Sequence, residues 1–64
     1  MLAAEIQLKI DANSAQIRSI ANRIHMLEEE HLAEPGNADY VELRTQHKKL
    51  VDENRRLTDE LLSE

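Results

Sequence analysis

Residues 24–47 read IHMLEEEHLAEPGNADYVELRTQH, and this stretch decides the fold because two heptad patterns meet in it across a Pro-Gly break. Apolar residues recur on both sides of the break at alternating spacings of three and four, which is typical of a coiled-coil seam. Pro35 disfavours helical geometry at the residue before it, and Gly36 is able to adopt a left-handed turn conformation. The stretch therefore predicts two helices joined by a tight turn.

Each predicted helix carries a ladder of positions that keeps the heptad spacing without a slip. The first ladder is Ala3, Ile6, Ile10, Asn13, Ile17, Ile20, Ile24, Leu27 and His31. The second is Tyr40, Leu43, His47, Leu50, Asn54, Leu57 and Leu61. Apolar residues fill 12 of these 16 positions, whereas the overall hydrophobic content of 41% would fill six or seven. We call the two ladders the seam, and they predict an all-α fold, an antiparallel helical hairpin of coiled-coil type.

The chain length allows one domain, residues 1–64. The predicted bounds are about 2–33 for the first helix, 34–38 for the loop and 39–62 for the second helix. Asp39 is the expected N-cap of the second helix, because Glu42 follows at capping-box spacing. A loop this short makes the helices antiparallel neighbours, and the heptad seam predicts left-handed supercoiling.

The short loop also predicts the register of the hairpin. The expected seam layers are Leu27 with Leu43, Ile24 with His47, Ile20 with Leu50, Ile17 with Asn54, Asn13 with Leu57, and Ile10 with Leu61. The flanking residues expected to meet are Glu28 and Arg44, Ala21 and Val51, Ser14 and Thr58, Gln16 and Glu53, and Lys9 and Glu60. Each exposed ion pair among them contributes little, about 0–1 kcal/mol, but together they favour one register.

Away from the seam, the first helix has a second face of small and apolar residues, spaced mostly by four and three. This outer stripe consists of Ala4, Leu8, Ala12, Ala15, Ser19 and Met26. High helix propensity alone would explain alanine on any exposed face, but it does not explain Leu8 and Met26. Two helices have little core of their own, and a small chain without cysteine needs another source of stability. The stripe therefore predicts a homodimer, a four-helix bundle with the first helices at its centre.

Polar residues interrupt the seam at Asn13 and Asn54, which are expected one layer apart on facing helices. A buried asparagine commonly fixes register and oligomeric state, so we interpret the pair as a specificity device, with a functional pocket as the alternative. His31 and His47 also occupy the seam, but their expected layers are two turns apart. His25 is expected on the outer face. The histidines therefore do not predict a metal site.

Composition argues against several classes of function. The net charge of −5 gives no global attraction to nucleic acid or to anionic membranes. The sequence has no apolar run near the ~20 residues of a transmembrane helix, and residues 1–5 do not resemble a signal peptide. We therefore expect a cytoplasmic protein with no membrane partner. Glycine-rich phosphate loops and the HExxH pattern are absent, so we expect no catalytic residues, no cofactor and no enzymatic activity.

One charged feature of the predicted second helix is a row of basic side chains. Pairs of lysine and arginine recur after seven residues and share one side of the helix. This basic stripe consists of Arg44, Lys48, Lys49, Arg55 and Arg56. It favours contact with an acidic protein or an RNA backbone, whereas the alternative is a solvated face. Acidic residues interleave with it and would dilute phosphate affinity, as Asp52 and Asp59 illustrate.

In architecture and length, the chain resembles the Rop-like four-helix bundles, in which two hairpins dimerise and bind paired RNA loops. The resemblance rests on no shared motif, and a fold alone does not give a function. We expect a non-enzymatic protein–protein interaction module, a small homodimeric regulator or adaptor of bacterial or phage type. One alternative is a Rop-like RNA-binding protein that uses the basic stripe. Another is a structural coiled-coil subunit of a larger assembly, in which the outer stripe meets a different chain.

Overall fold

The computed structural model describes residues 2–63, and within them the chain forms two helices that pack as a hairpin. Helix α1 spans Ala3–Glu29 and helix α2 spans Ala38–Leu62. The hairpin is a rod of 44 × 16 × 13 Å. The all-α hairpin expected from the heptad pattern is thus confirmed over these residues. The expected domain also included residues 1 and 64, which lie outside the described range.

The seam forms the contact between the helices. Of its sixteen positions, fourteen are buried or half-buried, and the exceptions are Ala3 and His31. Among the seam residues, Ile6, Ile24 and Leu57 are buried outright. Most seam side chains stay half-buried because each helix screens only one side of the other.

The hairpin has a large surface for its size. It exposes 4911 Å², about 700 Å² more than the ~4,200 Å² expected of a compact monomer of 7.4 kDa. Its Cα radius of gyration is 14.3 Å, against about 11 Å for a compact domain of this length. A single copy therefore buries less of its surface than a compact domain of this size does.

Helix α1 ends at Glu29, four residues before the expected end at position 33. His31 has a φ of 61°, in the left-handed region. Its N–H donates to the Glu28 carbonyl at 3.1 Å, and the Leu32 N–H donates to the Leu27 carbonyl at 2.8 Å. These two bonds form a Schellman motif, which pairs carbonyls that the helix end would otherwise leave free. The placement of His31 in the seam was therefore wrong, and its side chain is exposed.

The loop differs from the expected one for the same reason. It spans residues 30–37 rather than 34–38, and Gly36 does not adopt a positive φ. The left-handed turn falls on His31 because the helix closes before it reaches Pro35. The tight Pro-Gly turn is thus replaced by a longer loop that begins with the Schellman motif.

Helix α2 is capped by Asn37 rather than by Asp39. The Asn37 Oδ1 accepts from the backbone N–H of Asp39 at 3.0 Å and from that of Tyr40 at 3.3 Å. Its Nδ2 donates to the Leu32 carbonyl at 3.0 Å, which ties the cap to the loop. The expected capping box from Asp39 to Glu42 was wrong, because one asparagine amide bonds the first helical turn and the loop together.

The flanking contacts also differ in part. Within residues 2–63, two contacts shorter than 4.0 Å join a basic side chain to a carboxylate, and each lies within a single helix: His25 with Glu29 at 3.0 Å in α1, and Lys48 with Asp52 at 3.1 Å in α2. The expected ion pairs between the helices are not formed at that distance. The Arg44 guanidinium instead lies over the Tyr40 ring of its own helix, 6.0 Å from the centroid.

Candidate interaction surfaces

The outer stripe lies on the side of α1 that faces away from α2. In a helix with a heptad seam, its positions are rotated by about 150° from the seam. All six residues of the stripe are exposed. Leu8 is 69% exposed and Met26 is 57% exposed, and both are among the most exposed large apolar side chains of the hairpin. Exposed apolar residues aligned on one face are typical of an interaction site.

Asn22 completes this face, although it was not among the residues predicted for the outer stripe. The outer stripe has a gap of seven residues between Ser19 and Met26, and Asn22 lies in that gap at the heptad position shared by Leu8 and Ala15. It is exposed, as the rest of the stripe is. Asn22 fits the heptad spacing of the stripe, but a pattern defined by small and apolar residues leaves out a polar asparagine. From Leu8 to Met26, the outer face is therefore a second heptad ladder, with polar residues at Ser19 and Asn22.

The seam asparagines are half-buried and are not bonded to each other. The Asn54 Nδ2 donates to the Ser14 Oγ on α1 at 3.2 Å, a bond between the helices that the sequence did not indicate. The Asn54 Oδ1 and the Asn13 Nδ2 are buried and have no hydrogen-bond partner within the hairpin. An acceptor and a donor are thus left unsatisfied on facing helices, which weakens the seam.

A groove of about 480 Å³ lies beside the seam at the loop end of the hairpin. Its lining residues are Arg23, Met26, Leu27, Glu30, Asp39, Glu42, Leu43 and Gln46. Leu27 and Leu43 are half-buried and form its floor, which agrees with the expected layer between them. The remaining six side chains are exposed and form its rim. We call it the loop-end groove.

The rim of the loop-end groove is acidic. It has three carboxylates, Glu30, Asp39 and Glu42, and a single guanidinium, that of Arg23. Met26 belongs both to this rim and to the outer stripe, so the two surfaces are continuous. A groove with a leucine floor and an acidic rim suits a partner that presents an apolar side chain next to a basic one.

The basic stripe lies along α2, and its five residues are all exposed. Two of them have local contacts, since Lys48 pairs with Asp52 and Arg44 lies over Tyr40. Within residues 2–63, Lys49, Arg55 and Arg56 form no ion pair shorter than 4.0 Å. Three cationic side chains therefore point into solvent and are available to an acidic partner.

Metal ligands and membrane spans complete the description of residues 2–63. In this range, no three side chains of the His, Cys, Asp and Glu types come together as a metal site would require. Neither α1 nor α2 combines the length and the apolar character needed to cross a membrane.

The functional interpretation thus depends on three surfaces of the hairpin: the outer stripe, the loop-end groove and the basic stripe. They are defined by exposure, charge and position on the two helices. Comparison with known proteins adds no further assignment, since no family model, no curated protein and no solved structure is significantly similar to this chain.

Proposed function

We propose that this protein is a non-enzymatic protein–protein interaction module, a small homodimeric helical hairpin that acts as a regulator or adaptor in the cytoplasm. The observation that carries this proposal is the apolar outer stripe, which a single copy leaves exposed along α1. Among residues 2–63, the buried hydrophobic side chains are three aliphatic ones, and a chain with so small a core gains stability by covering such a face.

The area of the surface supports a dimer. The hairpin exposes about 700 Å² more than a compact monomer of its mass, and a standard protein interface buries about 800 Å² per partner. Burying an aliphatic side chain such as Leu8 or Met26 contributes about 1.5–3 kcal/mol. The small residues between these two allow the helices of two copies to approach closely, since the distance between helix axes depends on the side chains at the contact.

The adaptor role rests on the basic stripe. In a dimer joined through α1, both α2 helices remain on the outside, and each presents Lys49, Arg55 and Arg56 to solvent. Their partner is an acidic surface of another protein, because opposite charges favour encounter and orientation.

RNA binding is the second candidate, and the two basic stripes of a dimer favour it. Against it stand the net charge of −5 and the acidic residues that interleave with the stripe. The chain also has a single aromatic residue, Tyr40, and thus almost nothing to stack on bases. A structural role in a larger assembly is the third candidate, in which the outer stripe meets a different chain.

Light scattering over a concentration series tests the dimer. We expect about twice the chain mass of 7.4 kDa at micromolar concentration. Leu8→Glu should return the chain to a monomer, because it places a carboxylate within the buried face. Leu62→Glu is the matched control, since Leu62 is 78% exposed and lies outside the outer stripe. A compact, stable wild-type monomer at these concentrations would refute the proposal.

The adaptor role is tested by affinity capture with tagged protein, in which both protein and RNA partners are identified. The wild type is compared with a variant in which four basic-stripe residues are changed to glutamine: Lys48, Lys49, Arg55 and Arg56. We expect an acidic protein to be retained by the wild type and lost with the variant, which should still dimerise. Retention of the same protein by both would contradict a role of the basic stripe.

A further inference from the structure

We propose that two copies of the chain pair antiparallel through the outer face of α1, and that Leu8 and Lys9 of each copy bind the loop-end groove of the other. This inference rests on the proposed homodimer and adds the orientation and the contacts of its interface. The two grooves of the dimer would be occupied in the same way, as a two-fold axis requires.

The distribution of side-chain size along the outer face supports the antiparallel pairing. Large residues lie near the two ends, Leu8 and Met26, and small residues lie between them. In the antiparallel arrangement, Leu8 of one copy packs against Met26 of the other, and Ala15 packs against Ser19. Small residues then meet at the centre of the interface, where the helices are closest. At each end of the interface, the large apolar side chains of Leu8 and Met26 are in contact.

Charge supplies an independent reason for the same orientation. Lys9 follows Leu8 directly, and it has the same heptad position as Arg23 and Glu30, at distances of 14 and 21 residues. Equal flanking positions face each other in an antiparallel helix pair. Lys9 of the second copy therefore arrives at the rim of the loop-end groove, between these two residues.

The acidic rim favours a position of the Lys9 ammonium beside the carboxylates. Glu30, Asp39 and Glu42 outnumber the one guanidinium of Arg23 on the rim. A flexible lysine ammonium is drawn to the carboxylates and relieves the repulsion among them. In a parallel pair, Lys9 would instead lie some 20 Å or more along the helix from the groove, at 1.5 Å per residue, and the acidic rim would stay without a basic partner.

Besides that of Lys9 with Arg23, the arrangement has a second like-charge contact, and this contact makes it testable. Arg18 lies close to the two-fold axis, so that it faces Arg18 of the second copy. An antiparallel pair shifted by about one helical turn would instead place Arg18 opposite Asp11 of the second copy. The proposed pairing predicts that Arg18→Ala lowers the dimer Kd about two- to fivefold, as expected from removing an exposed like-charge contact. A weaker dimer would show that the shifted pairing is the correct one.

Cysteine cross-linking tests the orientation directly, because the natural chain has no cysteine. Leu8→Cys and Met26→Cys chains with different tags are mixed at equal concentration and mildly oxidised. We expect the mixed disulfide to dominate and each variant alone to cross-link only at background level. Lys49→Cys, on the exposed face of α2, gives the background from random collisions. A parallel dimer would cross-link each variant with itself, and this would overturn the proposal.

A second pair of cysteine variants is needed because replacing Leu8 or Met26 removes apolar contacts from the interface. Ala15→Cys and Ser19→Cys change small residues at the centre and should also form the mixed disulfide. Light scattering of the wild type distinguishes failure of the proposed homodimer from failure of its proposed orientation. A monomer removes both the proposed function and this geometry, whereas a dimer with self-cross-links at Leu8→Cys removes the geometry alone.

The contact between Lys9 and the groove is tested by charge reversal. Lys9→Glu should raise the dimer Kd about five- to tenfold, because the change acts at both ends of a symmetric interface. Mixing this chain with Glu42→Lys should restore a heterodimer. Lys49→Glu, the same charge reversal on the exposed face of α2 and away from the groove, serves as the matched control and should change the Kd little. An equal effect of both variants would contradict a specific contact at the groove.

Discussion

The unsatisfied amides of the seam lead to the most specific prediction about stability. Asn13→Leu and Asn54→Leu together should raise the free energy of unfolding and at the same time loosen the specificity of association. The substitutions replace two half-buried amides with apolar side chains of similar size. They remove the buried Nδ2 of Asn13 and the buried Oδ1 of Asn54, neither of which has a partner within the hairpin.

The magnitude follows from the hydrogen bonds. Each unsatisfied buried atom costs about 1–3 kcal/mol, and removing both should recover roughly 2–6 kcal/mol. The double variant also loses the bond from Asn54 to Ser14, which contributes about 1 kcal/mol. The net expectation is a gain of about 1–5 kcal/mol. In a chain of this size, each kcal/mol shifts the Tm by about 4–8 °C, so the change should be plain in a thermal scan.

Thermal and urea unfolding followed by circular dichroism measure the gain, and light scattering measures the oligomeric state. We expect a higher Tm with a mixture of oligomers, because a buried asparagine otherwise restricts the pairing. Ser14→Ala should act in the opposite direction, since it leaves the Asn54 Nδ2 without its acceptor. Thr45→Ala provides the control, since Thr45 is exposed on α2 and its Oγ1 donates within its own helix, to the Val41 carbonyl. A double variant that is less stable and still uniquely dimeric would show that the two amides make essential bonds in the assembled protein.

Three other predictions concern the turn and the basic stripe. His31→Gly should stabilise the hairpin by about 1 kcal/mol, because a residue other than glycine costs roughly 1–2 kcal/mol in the left-handed conformation. Gly36→Ala should be neutral or slightly stabilising, since an added Cβ meets nothing within 4 Å. Urea unfolding that shows the reverse order of stability would contradict the described loop. Asn37→Ala should cost about 1 kcal/mol through loss of the cap, whereas Asp39→Ala should cost less by the same measurement. Wild-type protein should bind structured RNA no better than the glutamine variant of the basic stripe in a gel-shift assay at about 150 mM salt, where phosphate contacts are weakened; submicromolar binding lost in the variant would establish the RNA-binding alternative.

The hairpin itself could be predicted from the sequence because it results from a regular repeat of apolar residues. A seam that repeats over many turns is robust to errors at single positions, and Leu27 and Leu43 line the same groove as their expected layer requires. The ends of the helices are decided by individual hydrogen bonds instead. Asn37 and Asp39 are both good N-cap residues, and only the additional bond from Asn37 to the loop distinguishes them.

The candidate surfaces were predictable to different degrees. The residues of the outer stripe lie on one helix, so their common face follows from the helical repeat alone. The loop-end groove combines Arg23 and Glu30 on one side of the loop with Asp39 and Glu42 on the other. Its shape depends on where the two helices stop, and the heptad pattern placed the end of α1 four residues too late.

The angle of about 150° between the seam and the outer stripe has a consequence for how the module would engage its partners. Two hairpins joined through nearly opposite faces of α1 would place the four helices in a flat row, rather than in the four-helix bundle expected from the sequence. With 8–10 Å between neighbouring axes, the two α2 helices lie about 25–30 Å apart, and their basic stripes point in opposite directions. Such a dimer cannot clamp one small partner between its stripes. It would hold two partner molecules side by side and raise their effective concentration toward each other, which makes a stoichiometry of two partners per dimer the expected result of a titration.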